Sequence, residues 1–404
     1  MKKILLRVSM DGDEALTEYT RRFDDVEIED FRVGPEQIRE AFLATGSEII
    51  HTLKTCAENI EKFALLQLDQ CRSFEAELLP GVFTGQKVIP IGRAGIYVPG
   101  GNYPLVSTLL MCSIPARVAG VGKIAVFSPP SYEGSVHPLI LAAAELAGVD
   151  EVYRLGGAQA IAAMAYGTAS IPKVDLIAGP GNKYVTAAKK LVYGSVGVDM
   201  IAGPTEVLII ADDSADPALL AADLLGQAEH DLEATPVLVT DSETLVASVK
   251  LEIEQQLCKL QTEQIARKSI AENGIVILVD DLFEAVEAAN RKAPEHLELQ
   301  VREPDRYISG LRNYGSLFIG EFAAEVLGDY SSGLNHTLPT NGAARFTGGL
   351  SVRNFLKFQT TLRMERKGLS VIGPAAQKMG GIEGLAGHAE SVRKRLEKAG
   401  LSEK

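Results

Sequence analysis

From residue 123 onward the chain alternates short apolar runs with longer segments in which apolar residues recur every three or four positions. "KIAVFSPP" predicts a strand and "PLILAAAELAG" a helix; "EVYRLGG" with "AQAIAAMAYG", then "VDLIAGPG" with "NKYVTAAKKLV", repeat the unit. Apolar strands that each lead into an amphipathic helix belong to parallel sheets with crossover helices, so the expected class is α/β. A second series, "VLIIADD" (207–213), "TPVLVTDS", "GIVILVDD" and "GSLFIGEF", is separated by long helical stretches and predicts a second sheet.

The residues before "GIYVPGGNYP" (95–104) read as mostly helical, and that Gly/Pro cluster reads as a boundary. A further boundary falls near "AGPTEV" (202–207), which makes the middle block an inserted α/β domain. After "GGLSVRNFLKF" the pattern becomes helical and charged, and it closes on "GHAESVRKRLEKAG". The expected organisation is a first α/β domain from 1–96 and 207–350, an inserted domain at 97–206, and a helical C-terminal arm at 351–404. A chain of 404 residues exceeds one ordinary core, in keeping with several domains.

Charge narrows the partners. Fifty-three acidic against forty basic residues leave a net charge of −13, which opposes a polyphosphate surface and argues against nucleic acid. The start, "MKKILLRVSMDGDEALTEY", has charges that interrupt any signal-peptide core, so a cytoplasmic location is expected. No apolar run is long enough for a transmembrane helix. Cys56, Cys71, Cys112 and Cys258 lack C-x-x-C spacing, so neither a disulfide framework nor a thiolate metal site is expected. A metal would need His, carboxylate or amide ligands.

Of the six histidines, His51 and His137 have ordinary surroundings, whereas His230, His296, His336 and His388 sit in dense polar settings. In "GQAEHD" (226–231), residues three apart on a helix let Gln227 and His230 face one target while Glu229 turns away. In "APEHLEL" (293–299), Pro294 ends a helix and Glu295 and His296 are expected on a turn, where adjacent side chains converge. A carboxylate beside an imidazole moves protons near neutral pH. In "GDYSSGLNHTLPT" (328–340), Asp329 offers an anionic oxygen to a divalent ion, and His336 is read as organising the loop. "GGAQA" (156–160) and "GPGNKYV" (179–185) each end a strand and open a helix, where backbone N–H groups can hold a phosphate. Neither is the G-x-G-x-x-G fingerprint, and "GVGKIA" (120–125) lacks the first glycine and the hydroxyl of a P-loop.

In this order, "GIYVPGG", "GGAQAIAAMAYGT", "GPGNKYV", "AGPTEVLIIAD", "DLLGQAEHD", "APEHLEL", "GDYSSGLNHTLPT" and "EGLAGH" resemble the histidinol dehydrogenase family, over nearly the whole chain. The resemblance implies two Rossmann-like α/β domains, one inserted into the other, and a homodimer with a site shared between subunits. It implies oxidation of L-histidinol to L-histidine with two NAD molecules through a bound aldehyde, and one zinc ion. The implied zinc ligands are Gln227, His230, Asp329 and His388, the last reaching across from the partner's C-terminal arm. His296 would be the general base and Glu295 would activate a water. The substrate would meet Thr205, Gln227, His230, His296 and Asp329, with Glu383 and His388 from the other subunit. NAD would meet Tyr97, Gln159 and Asn182, loosely enough to be exchanged midway.

The sequence departs from the family pattern in three places. It begins close to "GDEALTEYT", ahead of which many members carry a further stretch, and this bears on the dimer contact. Thr205 stands where a serine is usual, and Ala64 in "FALLQ" (63–67) where many members have histidine; both changes are expected to touch the pocket. They leave open a related enzyme that oxidises another small alcohol, such as a sulfonated diol, with the same zinc and NAD. A zinc hydrolase using Glu295 and His296, or a non-catalytic sensor, would leave the glycine turns or the acid/base residues without a role.

Overall fold

A computed structural model of the chain describes residues 1–100 and 104–401, so Gly101, Asn102 and Tyr103 of the expected boundary lie outside the described residues. The chain divides into two compact units. One comprises Met1–Gln67 and Ile91–Phe355, the other Leu68–Pro90 and Leu356–Lys404.

The first unit holds two five-stranded parallel sheets. In chain order the strands of one are Arg93–Tyr97, Lys123–Ser128, Glu151–Arg154, Leu176–Ala178 and Gly197–Val198. Those of the other are Glu206–Ala211, Thr235–Thr240, Ile275–Leu278, His296–Gln300 and Ser316–Ile319. Counted along the chain, each sheet runs 3-2-1-4-5, the doubly wound order in which the chain reverses direction beside the first strand. Ala125, Val126 and Phe127 are fully buried, as expected of strands covered on both faces.

Two parts of this arrangement differ from the pattern-based expectation. Helices Lys2–Asp11 and Asp13–Asp24 pack against helix Gly157–Tyr166 of the inserted block, and Pro35–Ala44 packs on Pro138–Ala147. The N-terminal helices therefore join the first sheet's layer, because Leu5, Val8 and Leu16 enter the same core as Phe127 and Tyr153. The second unit is not wholly helical. Phe74–Leu79, Val82–Pro90 and Leu356–Met364 form a three-stranded antiparallel sheet, followed by helices Arg366–Ile382 and Ala386–Lys398. In "LKFQTTLRM" apolar and polar residues alternate with the strand period of two over most of its length, which the helical reading overlooked. Among the described residues no helix is long and apolar enough to cross a membrane.

Gly179 ties the first sheet to the turn that follows it. Its φ is +111°, and a Cβ there would overlap the Tyr97 carbonyl at the end of the neighbouring strand. Its N–H donates to Asp199 Oδ2 at 2.8 Å and its carbonyl accepts from Lys189 Nζ at 2.8 Å, while Lys189 and Asp199 form a buried ion pair at 2.6 Å. Replacing this glycine with alanine combines backbone strain with a clash, at a cost of about 1–3 kcal/mol or more. G179A should melt several degrees below the parent in thermal unfolding, and an unchanged melting temperature would contradict this account of the turn.

Candidate functional site

The second sheet's candidate residues cluster at the amino ends of its strands. Glu206 and His296 open the strands Glu206–Ala211 and His296–Gln300, which lie side by side, with His296 opposite Val207. Thr205 and Glu295 immediately precede them. Helix Pro217–Ala228, started by Asp216 accepting from Ala218 N, follows the strand Glu206–Ala211 and runs back, so its C-terminus carries Gln227 and His230 towards the same edge. The helix ends at Ala228, and His230 N bonds to Gln227 O at 3.3 Å in one last turn. Glu229 turns aside and accepts from the Thr262 hydroxyl at 2.5 Å.

Glu295 and His296 are not on an open turn, as the spacing had suggested. Ala293, at φ +53°, ends the helix Leu282–Lys292, and after Pro294 the chain enters a strand directly. Both side chains are buried, at 6% and 2% exposure. They meet a common cavity because one lies just before the strand and the other begins it.

Three carboxylates surround the His296 ring: Glu325 at 3.5 Å and Glu295 at 3.8 Å from Nδ1, and Asp329 at 3.4 Å from Nε2. Burial pulls the imidazole pKa down, but the carboxylates of Glu325, Glu295 and Asp329 outweigh it and push it up to about 10. Burial raises Glu295 to about 7 despite the opposing pull of His296, Thr205 and the Glu206 N–H. Burial also holds Glu325 well above the ordinary carboxylate range. Asp329 goes the other way: burial favours its proton, but the hydrogen bond and charge of His296 stabilise its ionised form and lower its pKa.

Glu325 escaped sequence reasoning. It lies four residues before Asp329 on the helix Glu325–Tyr330, so "EVLGD" puts both carboxylates on one face, a signal available from spacing alone. Ligand atoms of His230, Glu325 and Asp329 lie within 4.8 Å of one another. Gln227 is 1% exposed; its Nε2 donates to Thr205 Oγ1 at 2.9 Å, and its Oε1 is buried without a hydrogen-bond partner. Glu325 Oε2 is likewise unpartnered. An imidazole and carboxylates within ligand distance of one another, with an unpaired amide oxygen on a residue bonded to the cavity-lining Thr205, are donor types suited to a divalent cation.

His336 has both ring nitrogens occupied. Nδ1 lies 3.2 Å from the Asp329 carbonyl, which can only accept, so Nδ1 carries the proton and Nε2 accepts from the Thr108 hydroxyl at 3.0 Å. Burial lowers its pKa, and the neutral ring ties the loop to the helix Val106–Ala119. A cavity of about 190 Å³ opens beside these groups, lined among others by Thr108, Pro180, Thr205, His230, Glu295 and Asp329. Pro180 and Thr108 follow the carboxyl ends of strands in the first sheet, so the cavity lies between those ends and the amino edge of the second sheet.

The residues expected at the glycine turns are differently disposed. Tyr97 is 3% exposed and its hydroxyl accepts from Gly157 N at 3.0 Å. Gln159 is buried inside the first turn of the following helix. Asn182 is exposed, and its Oδ1 caps helix Lys183–Val192 by accepting from Tyr184 N and Val185 N. In the second unit, Glu383 caps the helix Arg366–Ile382 and His388 lies on Ala386–Lys398, both exposed. Ala64 is buried in the helix Ser47–Asp69 and is not among the cavity-lining residues described, a correction to its expected place.

Behind Glu325 lies a second carboxyl pair. Glu298 is fully buried and its Oε1 accepts from Glu325 N at 3.0 Å. Burial first, then the Asp223 charge, pushes Glu298 up to about 8, and burial raises Asp223 to about 6. The folded chain thus keeps protons that the unfolded chain releases. This contribution is complete in acid and is lost as pH rises towards 8. In metal-free protein, E298Q should lose less melting temperature than the parent between pH 6 and pH 9; equal losses would contradict the burial account.

The histidinol dehydrogenase family model matches residues 1–396. The histidinol dehydrogenase of Methanothermobacter thermautotrophicus is 47% identical over 393 residues, covering 97% of this chain and 92% of that protein. That of Lactiplantibacillus plantarum is 43% identical, covering 98% and 92%. The crystal structure of histidinol dehydrogenase from Elizabethkingia anophelis superposes with a TM-score of 0.94 at 40% identity, covering 98% of this chain and 91% of that one. With the same fold, and with identity sustained across nearly the whole length, this chain belongs to the histidinol dehydrogenase family.

Proposed function

We propose that the protein oxidises L-histidinol to L-histidine with zinc and two NAD molecules. The observation that carries this reading is the meeting of His230 and Asp329 with the buried Glu295–His296 pair at one small cavity, with Gln227, whose Oε1 is unpartnered, hydrogen-bonded to the cavity-lining Thr205. Gln227, His230 and Asp329 would hold the ion, with His388 contributed by a second subunit. When bound, zinc supplies a fixed positive charge that holds the substrate's nitrogens, and NAD supplies a hydride acceptor used twice.

The chain's own groups would do the rest. Glu325 and Glu295 face His296 Nδ1 and favour a proton there; with the Asp329 charge that raises the ring's pKa offset by a bound cation, Nε2 of the neutral ring is left to receive the hydroxyl proton as the first hydride departs. Glu295, held near neutrality, takes a proton from the water that hydrates the aldehyde, and the second hydride then leaves. A cavity of about 190 Å³ suits a small alcohol and limits escape of the reactive aldehyde. Thr205 lines that cavity, and Glu383 would reach the substrate from the other subunit. The turns around Gly156 and Gly179 would receive NAD beyond the carboxyl ends of the first sheet, with Asn182 at the surface and Tyr97 and Gln159 bracing them.

A sulfonated diol fits less well. Glu295 and Asp329 line the cavity, and neither lysine nor arginine is among its described lining residues, so an ammonium is attracted and a sulfonate repelled. Zinc-reconstituted enzyme should form two NADH per L-histidinol and none with dihydroxypropanesulfonate, whereas H296N should bind zinc but form no NADH. Turnover of the sulfonate alone would overturn the substrate choice. Subunit sharing has its own test. Re-pairing inactive H296N with inactive H388N should restore roughly a quarter of parental activity, since half of the mixed dimers' sites are then intact; no recovery after verified exchange would refute sharing.

A further inference from the structure

We infer that Thr205 is a positioning residue that fixes which atom of Gln227 faces the metal. The inference deepens the reading above and rests on Gln227 being a ligand. An amide can present either oxygen or nitrogen, and only the oxygen has a lone pair to give a cation. Something must therefore choose between two orientations of nearly equal shape.

The hydrogen-bond chain makes that choice. Glu295 Oε2 accepts from Glu206 N at 3.0 Å and from the Thr205 hydroxyl at 2.6 Å. A hydroxyl has one proton, and Thr205 has spent it on the carboxylate, so towards Gln227 it can only accept. Gln227 must then turn its N–H towards Thr205, the contact seen at 2.9 Å, and Oε1 is left facing elsewhere, buried and without a hydrogen-bond partner. The flipped amide would set two acceptors against each other and leave buried N–H groups unpaired, a cost of about 1–3 kcal/mol. Polarity thus passes from the Glu206 backbone through Glu295 and Thr205 to the ligand. The Thr205 backbone is itself held, since its carbonyl accepts from Thr235 N at 3.0 Å. A serine hydroxyl would do the same work; a valine of equal shape would not.

The test measures zinc affinity of the full-length protein by competition with a chromophoric chelator, independently of turnover. Q227A should weaken zinc at least about tenfold, and T205V should do likewise, as expected when a ligand's supporting hydrogen bond is removed. T205S should stay within about twofold of the parent, a rescue that a merely space-filling role would not need. In a double-mutant cycle, T205V should cost nothing further in the Q227A background, because its effect passes through that amide. Circular dichroism of the metal-free variants checks folding, and T205A serves if T205V does not fold. Parental zinc affinity in a folded variant lacking the hydroxyl, or an equal loss in both backgrounds, would overturn the proposal while leaving Gln227 a ligand. Parental affinity in Q227A would instead remove the ligand assignment, and this inference with it.

Discussion

The concentration of carboxylates around one buried imidazole is the constraint to which the rest of the site answers. Glu295, Glu325 and Asp329 approach His296 within 3.4–3.8 Å in a region almost free of water contact. Burying that much like charge is unfavourable unless protons or a cation offset it. The raised pKa values of Glu295 and Glu325 are the protonic answer. A divalent ion held near His230, Glu325 and Asp329 would be the metallic one.

Holding such groups in place falls to a scaffold used twice. Both sheets of the first unit have the 3-2-1-4-5 order. In the first, the glycine turns lie at the carboxyl ends of the strands, beside helix N-termini. In the second, Glu295 and His296 lie at the opposite, amino ends. The cavity therefore sits between the carboxyl edge of one sheet and the amino edge of the other.

Supporting residues do as much as the reactive ones. Glu298 anchors the N-terminus of the helix that carries Glu325 and Asp329. His336, neutral and bonded on both sides, holds the following loop to the helix Val106–Ala119. The Lys189–Asp199 pair locks the turn at Gly179. Each is a buried or half-buried polar group with partners inside the protein, so each fixes one geometry rather than many.

Periodicity alone determined the α/β class, most strands of both sheets and the helix that ends just after Gln227, because these features depend on near neighbours in the chain. The motif blocks likewise pointed to Glu295, His296 and Asp329. Long-range packing decided the remainder. His296 opens a strand rather than sitting on a turn because pairing with Glu206–Ala211 and Ser316–Ile319 outweighs the local signal of Pro294. The N-terminal helices chose the first sheet, and "LKFQTTLRM" became a strand, through partners far away in sequence. The orientation of Gln227, the protonation of His336 and the pKa values around His296 are set by atoms from segments scores of residues apart, and no local pattern encodes which of those atoms will meet.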